Sequence, residues 1–189
     1  MALVPPTDLR RPETTASPVV RAAVLTIALV LAACATTSPR DRAIDYMALY
    51  YAASGGNQLL VEALLERGAP VDAPHPDSAG DLSYQAVGFN SPLQAAAERG
   101  HVEIVQALLQ HKPWIDHRCC DSPSALGMAA AKGHLQIVQL LLDAGADPGI
   151  RSSYSRALGA ATPLDAARAN GHLEVVRVLE GALSARKRK

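Results

Sequence analysis

The chain has 189 residues, a formal net charge of zero and a hydrophobic share of 49%, so it can bury a core and carries no excess of basic charge. Only 4% of the residues are aromatic, with one Trp and one Phe, so the core has to be built from Ala, Leu, Val and Ile. This composition argues against a nucleic-acid partner and favours closely packed helices.

An apolar run from Ala22 to Ala33 follows Arg21 near the start of the chain. The run is too short for a bilayer, which needs about 20 residues, but it fits the apolar region of a signal peptide, which needs about 7–15. It ends in Leu31-Ala32-Ala33-Cys34. This ending resembles the lipobox of bacterial lipoproteins, in which an aliphatic residue and two small residues precede a Cys.

The resemblance implies that residues 1–33 are a signal peptide that is removed before Cys34, and that Cys34 carries the lipid. More than one acyl chain, such as palmitate, would anchor the protein stably, because a single chain binds a membrane only reversibly. Ala35 in place of Asp implies sorting to the outer membrane, facing the periplasm of the bacterial cell envelope. The alternative is an ordinary apolar stretch that precedes a Cys by chance.

Residues 34–42 are predicted to be a tether, and residues 43–183 a domain of four similar units. The clearest unit starts at Ser91-Pro92-Leu93, where Ser can cap a helix and Pro is tolerated in its first turn. Gly100 should end that helix in the left-handed conformation. A second helix then places Val102, Val105, Leu108 and Leu109 on one face. Each helix is predicted to be shorter than ten residues, so its stability has to come from neighbouring units.

The last unit repeats the pattern from Thr162-Pro163-Leu164 through Gly171-His172 to a Leu-rich second helix. This pattern resembles the ankyrin repeat, and Gly145-Ala146-Asp147 supplies the family's hairpin ending. The resemblance implies an all-α ankyrin-repeat solenoid of about four helix-turn-helix units with hairpin-type loops, near residues 45–73, 90–117, 122–151 and 161–183. Residues 184–189 are predicted to be a basic tail.

The units open at Met47, Ser91, Ser124 and Thr162, so they are 44, 33 and 38 residues apart. Only the middle spacing equals the ankyrin period of 33, and the extra residues are expected in loops near 73–90 and 149–161. The first unit lacks the Thr-Pro start and is predicted to be a cap. Glu180 and Arg186 give the last unit a polar exterior, as expected of the other cap.

Ankyrin proteins bind partners through the exposed side of their first helices and through the hairpin tips. Carried over by position, the first-helix candidates are Ser54, Glu98, Arg99, Ala131, Lys132, Ala169 and Asn170, and the tip candidates are Arg118, Cys119, Cys120 and Asp121. The alternative for each residue is an ordinary solvated surface. His101, His134 and His172 recur after the helix-ending Gly, which favours hydrogen bonding in the turns over catalysis.

Trp114 lies in a Lys112-Pro113-Trp114 segment that departs from the Gly-Ala-Asp hairpin ending. Trp is enriched at binding hot spots, yet it can equally cover a neighbouring repeat, and both interpretations stay open. Lys112 stands where the family has Gly, so this turn either differs in shape or carries strain.

Cys119 and Cys120 are adjacent in a predicted loop. A disulfide between neighbours is strained, because their Cα atoms lie about 3.8 Å apart and disulfides prefer about 4.4–6.8 Å. Zinc sites usually leave at least two residues between paired Cys, which argues against a metal. A redox-active or metal-binding envelope protein that uses these thiols is the alternative to a binding scaffold.

Taken together, these features predict a lipid-anchored periplasmic scaffold that binds a protein partner of unknown identity. The chain is expected to be a monomer, with no cofactor, no metal and no enzymatic activity. By resemblance, envelope ankyrin proteins include neutralisers of antibacterial toxins and proteins tied to peroxide defence.

Overall fold

A computed structural model describes residues 39–72, 90–117, 122–152 and 162–186 of the chain. The chain divides into residues 1–38 and residues 39–189, and every described residue lies in the second part. The predicted signal peptide, the lipidation site at Cys34 and most of both predicted loops therefore lie outside the described residues. No helix within the described ranges combines the length and the apolar content that a membrane span requires.

The secondary-structure elements of the described residues are helices arranged in four pairs, which confirms the predicted all-α repeat array. In chain order the bounds are α1 Pro39–Gly55, α2 Gln58–Glu66, α3 Pro92–Arg99, α4 Val102–Gln110, α5 Ala125–Lys132, α6 Leu135–Asp143, α7 Pro163–Ala169 and α8 Leu173–Arg186. The helices of each pair pack on each other. The first helices α1, α3, α5 and α7 pack in one row and the second helices α2, α4, α6 and α8 in another, which makes two layers.

Helices α3 and α7 begin where their sequence predicts. Ser91 caps α3 by accepting a hydrogen bond from the N–H of Gln94, and the Gln94 side chain accepts one from the N–H of Ser91. Thr162 and Asp165 form the same reciprocal box at α7. Hydrogen bonds from the Thr162 N–H and hydroxyl hold the pKa of Asp165 below its ordinary value. Gly100 follows α3 with φ of 82°, the left-handed conformation expected from the sequence.

The core lies between the two layers and is built from aliphatic and Ala side chains. Leu108 of α4 and Leu141 of α6 are 0% exposed, as the sequence predicts. The predicted face of α4 is confirmed, because Val105 and Leu108 are buried and Val102 and Leu109 are half-buried and pack against the core. The burial of Ile104 was not predicted. Ile104 is one turn from Leu108, so it shares the side of α4 that turns toward the neighbouring helices.

The terminal helices are longer than the sequence suggests. Helix α1 has 17 residues and begins at Pro39, so it includes residues that the sequence assigned to the tether. Helix α8 has 14 residues and runs to Arg186, three residues into the predicted basic tail. The expectation that every helix is shorter than ten residues therefore fails at both ends. An end helix has a neighbour on one side only, and extra turns give it more contacts within its own unit.

The C-terminal end of the array is closed by polar side chains. Arg168 and Glu180 form an ion pair at 2.5 Å between α7 and α8. Both stand at positions that are apolar in the other units, namely Ala53, Ala97 and Ala130 for Arg168 and Leu65, Leu109 and Leu142 for Glu180. Those apolar side chains are buried or half-buried. Arg186 adds a contact with the Asp147 carboxylate, so the last unit has the polar outer surface that an end repeat needs.

Candidate functional site

The predicted first-helix residues form a row across all four units, which we call the first-helix row: Ser54, Glu98, Arg99, Lys132 and Asn170. Each stands one or two residues before a left-handed glycine, and the first helices pack on one another, so equivalent positions align. Arg99, Lys132 and Asn170 are exposed, and Ser54 and Glu98 are half-buried. The intervening Ala131 is half-buried and Ala169 is exposed. The structure therefore brings together the first-helix candidates that the sequence nominates.

A ladder of histidines fixes the backbone beneath this row. The Nε2 atoms of His101, His134 and His172 lie 3.4, 3.2 and 3.1 Å from the carbonyl oxygens of Ser54, Glu98 and Ala131. A carbonyl oxygen can only accept, so the arrangement calls for a proton on Nε2 of each ring. The sequence favours hydrogen bonding by these histidines, and the structure shows the acceptor: each ring reaches the end of the first helix in the preceding unit. The ladder satisfies helix-terminal carbonyls that would otherwise lack a partner.

The same rings pack against the left-handed glycines. A Cβ added at Gly56, Gly100 or Gly133 would lie 2.7, 2.7 or 2.5 Å from the nearest atom of His101, His134 or His172. Glycine is therefore required at these three positions for two reasons: the positive φ and the space that the histidine ring of the next unit fills. Gly171 has the same conformation, with φ of 75°, but nothing lies within 4 Å of its added Cβ. The ladder ends at the last unit.

The charges of the row are mixed. Glu98 and Lys132 approach to 4.0 Å across two units, and water reaches both side chains, so this pair contributes about 0–1 kcal/mol. Arg99 makes no ion pair within the part of the chain that the structure describes. The Asn170 amide donates to the carbonyl of Ala166 at 2.9 Å, which caps its own helix. The row offers a partner both signs of charge on a rigid helical support.

The hairpin tips are joined by a second ladder, formed by aspartates. The Asp72 carboxylate accepts from the Trp114 N–H at 3.1 and 3.0 Å, and Asp116 accepts from the Asp147 N–H at 3.0 and 3.3 Å. Burial raises the pKa of Asp72, although the Trp114 N–H and the nearby His117 act in the opposite direction. The role of neither aspartate was predicted from the sequence. Their equal distance from the start of each hairpin was the available signal.

Trp114 combines the two roles that the sequence left open. Its backbone N–H belongs to the aspartate ladder, while its side chain is 51% exposed and lies 6.0 Å from the His117 ring, measured between centroids. The backbone is thus structural and the exposed part of the indole is available to a partner.

The role of Gln94 was also not predicted from the sequence. Its buried amide donates to the Pro123 carbonyl at 2.7 Å and joins α3 to the next unit.

The remaining candidates, Arg118, Cys119, Cys120 and Asp121, lie outside the described residues, and their proposed roles stay predictions. Within the described ranges, no group of three or more His, Cys, Asp or Glu side chains is placed to hold a metal ion. The redox or metal alternative uses Cys119 and Cys120, so the described residues do not test it and it stays a prediction.

Three models of one repeat family match the chain. The model described as ankyrin repeats (3 copies) matches residues 75–152, ankyrin repeats (many copies) matches residues 126–180, and ankyrin repeat matches residues 45–76. No curated protein matches the chain. The three matches together span residues 45–180 and agree with the paired helices, the left-handed glycines and the histidine ladder. The chain belongs to the ankyrin-repeat family and is an interaction scaffold by architecture.

Proposed function

We propose that the protein is a lipid-anchored scaffold of the bacterial envelope that binds a protein partner in the periplasm through the first-helix row. The alignment of Glu98, Arg99 and Lys132 on adjacent helices is the observation that carries the binding proposal. The three side chains stand on backbone that the histidine ladder fixes, so little backbone conformational entropy is lost on binding. The exposed face of Trp114 adds an aromatic anchor at the hairpin tips.

The anchoring part of the proposal is supported by the lipobox, by the apolar run before it and by the short distance to the folded array. Helix α1 begins at Pro39, so only residues 35–38 separate it from Cys34. Five residue steps reach at most about 18 Å. A scaffold held on this tether works next to its membrane. Labelled palmitate should enter the full-length protein and should not enter its Cys34→Ala variant.

Capture from the native envelope tests the binding part. The full-length protein is crosslinked in cells and purified, and the proteins that come with it are identified by mass spectrometry. A triple variant, Glu98→Ala with Arg99→Ala and Lys132→Ala, is expected to reduce recovery of the specific partner at least tenfold, since loss of an interface anchor costs more than about 1 kcal/mol and about 1.4 kcal/mol already lowers affinity tenfold. The identity of the recovered protein distinguishes two classes of partner, an antibacterial toxin and a component of stress defence.

A matched triple variant on the second helices provides the control. Glu103, Gln106 and Gln139 are exposed on α4 and α6, and their replacement by Ala should leave recovery unchanged. Both triple variants should unfold at the same urea concentration as the parent protein, because all six side chains lie outside the core. Equal recovery with both variants would rule out the first-helix row as the binding surface.

A further inference from the structure

The two ends of the array differ in their surface. The C-terminal end is closed by the Arg168–Glu180 ion pair, whereas the first unit exposes large apolar side chains. Of the six large hydrophobic residues that are exposed among the described residues, four belong to the first unit: Ile44 at 65%, Tyr51 at 64%, Leu59 at 80% and Leu60 at 44%. We call these four residues the N-terminal end face. The sequence predicts a cap here, but the unit lacks the polar surface that normally caps a repeat array.

Two of these residues stand where other units bury an apolar side chain. Tyr51 is equivalent to Ala95 and Met128, which are 3% and 8% exposed. Leu60 is equivalent to Ile104 and Ile137, which are 2% and 0% exposed. The inner units each have a preceding unit to pack against, and the first pair of helices that the structure describes has none. Tyr51 and Leu60 therefore mark a surface with the composition of an interface between units.

The other two exposed apolar residues lie on the same two helices, α1 and α2. Ile44 lies seven residues before Tyr51, two helical turns away on the same side of α1. Leu59 occupies a position that carries Glu103, Gln136 and Glu174 in the other units. The first unit, which is nearest to Cys34 in the chain, is thus the only one of the four with an apolar residue at this position. A random solvated surface would not collect Ile, Tyr and two Leu side chains at one end.

We propose that this end face docks on the phospholipid membrane, with the exposed side of α1 lying in the headgroup region; the proposal rests on the lipid anchor at Cys34. The anchor holds Pro39 within about 18 Å of the bilayer, so the apolar end face is the part of the array that reaches it first. Aliphatic side chains gain free energy by burial below the headgroups, and Tyr is enriched at this depth because its ring is apolar and its hydroxyl is polar.

The charges beside the end face are balanced. Asp41 and Arg42 are exposed near the start of α1, and the partly buried Asp45 pairs with Arg67 at 3.1 Å. The docking should therefore depend on apolar burial more than on anionic lipid, and it should persist in zwitterionic vesicles. It also sets the orientation of the scaffold: the units stack away from the membrane, and the first-helix row runs outward from it.

Quenching of a single Trp by brominated phospholipid tests the docking. Trp114 is the sole Trp of the chain, so Trp114→Phe gives a background in which Tyr51→Trp reports on the end face. The matched control is Leu173→Trp in the same background, because Leu173 is 68% exposed in the last unit. Each acylated full-length protein is reconstituted with phosphatidylcholine vesicles that contain or lack brominated chains. The mass of the N-terminal peptide establishes acylation of Cys34 independently.

We expect brominated lipid to lower the emission of the Tyr51→Trp variant about twofold and to leave the Leu173→Trp variant unchanged, since quenching requires contact with the acyl region. Quenching of neither variant, or equal quenching of both, in acylated protein would overturn the docking and leave the anchor intact. An unacylated N-terminus would overturn anchor and docking together. A Tyr51→Trp indole that is shielded without lipid, in a particle of twice the expected mass, would show that a second copy of the chain covers the end face.

Discussion

At the scale of single residues, Lys112 shows how a position can keep its shape after losing its usual residue. It is the non-glycine residue with positive φ among the described residues, at 52°, and it is equivalent to Gly68 at 82° and Gly145 at 96°. The turn therefore keeps the left-handed conformation and carries strain, the second of the two outcomes that the sequence allows. Pro113 has no N–H, so this turn also lacks the bond that Ala146 donates to the Leu141 carbonyl at 2.9 Å.

The strain at Lys112 predicts that glycine stabilises this turn. A left-handed residue with a side chain costs about 1–2 kcal/mol, and the extra freedom of glycine in the unfolded chain offsets about half of the gain. We expect Lys112→Gly to raise the free energy of unfolding by about 0.5–1 kcal/mol, measured by urea denaturation.

The matched control for this turn is Gly145→Lys, at the equivalent position of the next unit. Nothing lies within 4 Å of an added Cβ there, so strain is its main cost, and after the same unfolded-state offset we expect a loss of about 0.5–1 kcal/mol. A Lys112→Gly variant that is no more stable than the parent would contradict the strain that we assign to this turn.

At the scale of elements, the histidine ladder joins each helix pair to the one before it. The short helices have few contacts of their own, so bonds between units decide whether the array holds together. Gly100 tests this link directly, because its added Cβ would meet the His134 ring at 2.7 Å while the equivalent Cβ at Gly171 meets nothing.

Gly100→Ala and Gly171→Ala should differ in stability by the energy of that clash. Both substitutions place a side chain on a residue with a positive φ of about 80°. Only Gly100→Ala also overpacks the neighbouring ring, which typically costs a further loss of about 1–3 kcal/mol. Urea denaturation of the two variants gives the difference. In a His134→Ala background the additional loss should largely disappear, because the ring is absent. Equal losses for the two glycine variants would show that the ladder contact is not tight.

The elements also show what sequence reasoning reaches and where it stops. The caps at Ser91 and Thr162 and the left-handed Gly100 follow from local chemistry, and all three are confirmed. The burial of Ile104 and the cross-unit partners of the histidines depend on how adjacent helices stack, which the sequence of one unit does not contain. The length of α1 was underestimated because its first turn, from Pro39, carries no repeat pattern.

At the scale of the whole molecule, the two ends of the array differ in surface chemistry: the C-terminal end carries an ion pair, and the N-terminal end carries exposed apolar side chains. The sequence identified the polar C-terminal end through Glu180 and Arg186, but it treated the first unit as an ordinary cap. The exposure of Tyr51 and Leu60 becomes visible only when equivalent positions are compared in three dimensions. The alignment of the first-helix row follows from the sequence, because its members keep a fixed distance from the helix-ending glycines, and the binding role of the row stays a prediction.

The most direct test of the account is photo-crosslinking in living cells with a photoreactive amino acid at single positions. Arg99 and Lys132 represent the first-helix row, and Gln106 and Gln139 represent the exposed side of the second helices. The account predicts that the first two positions yield an adduct with one specific envelope protein and that the other two do not. Adducts with that protein only from Gln106 and Gln139, or no adduct from any of the four positions, would contradict it.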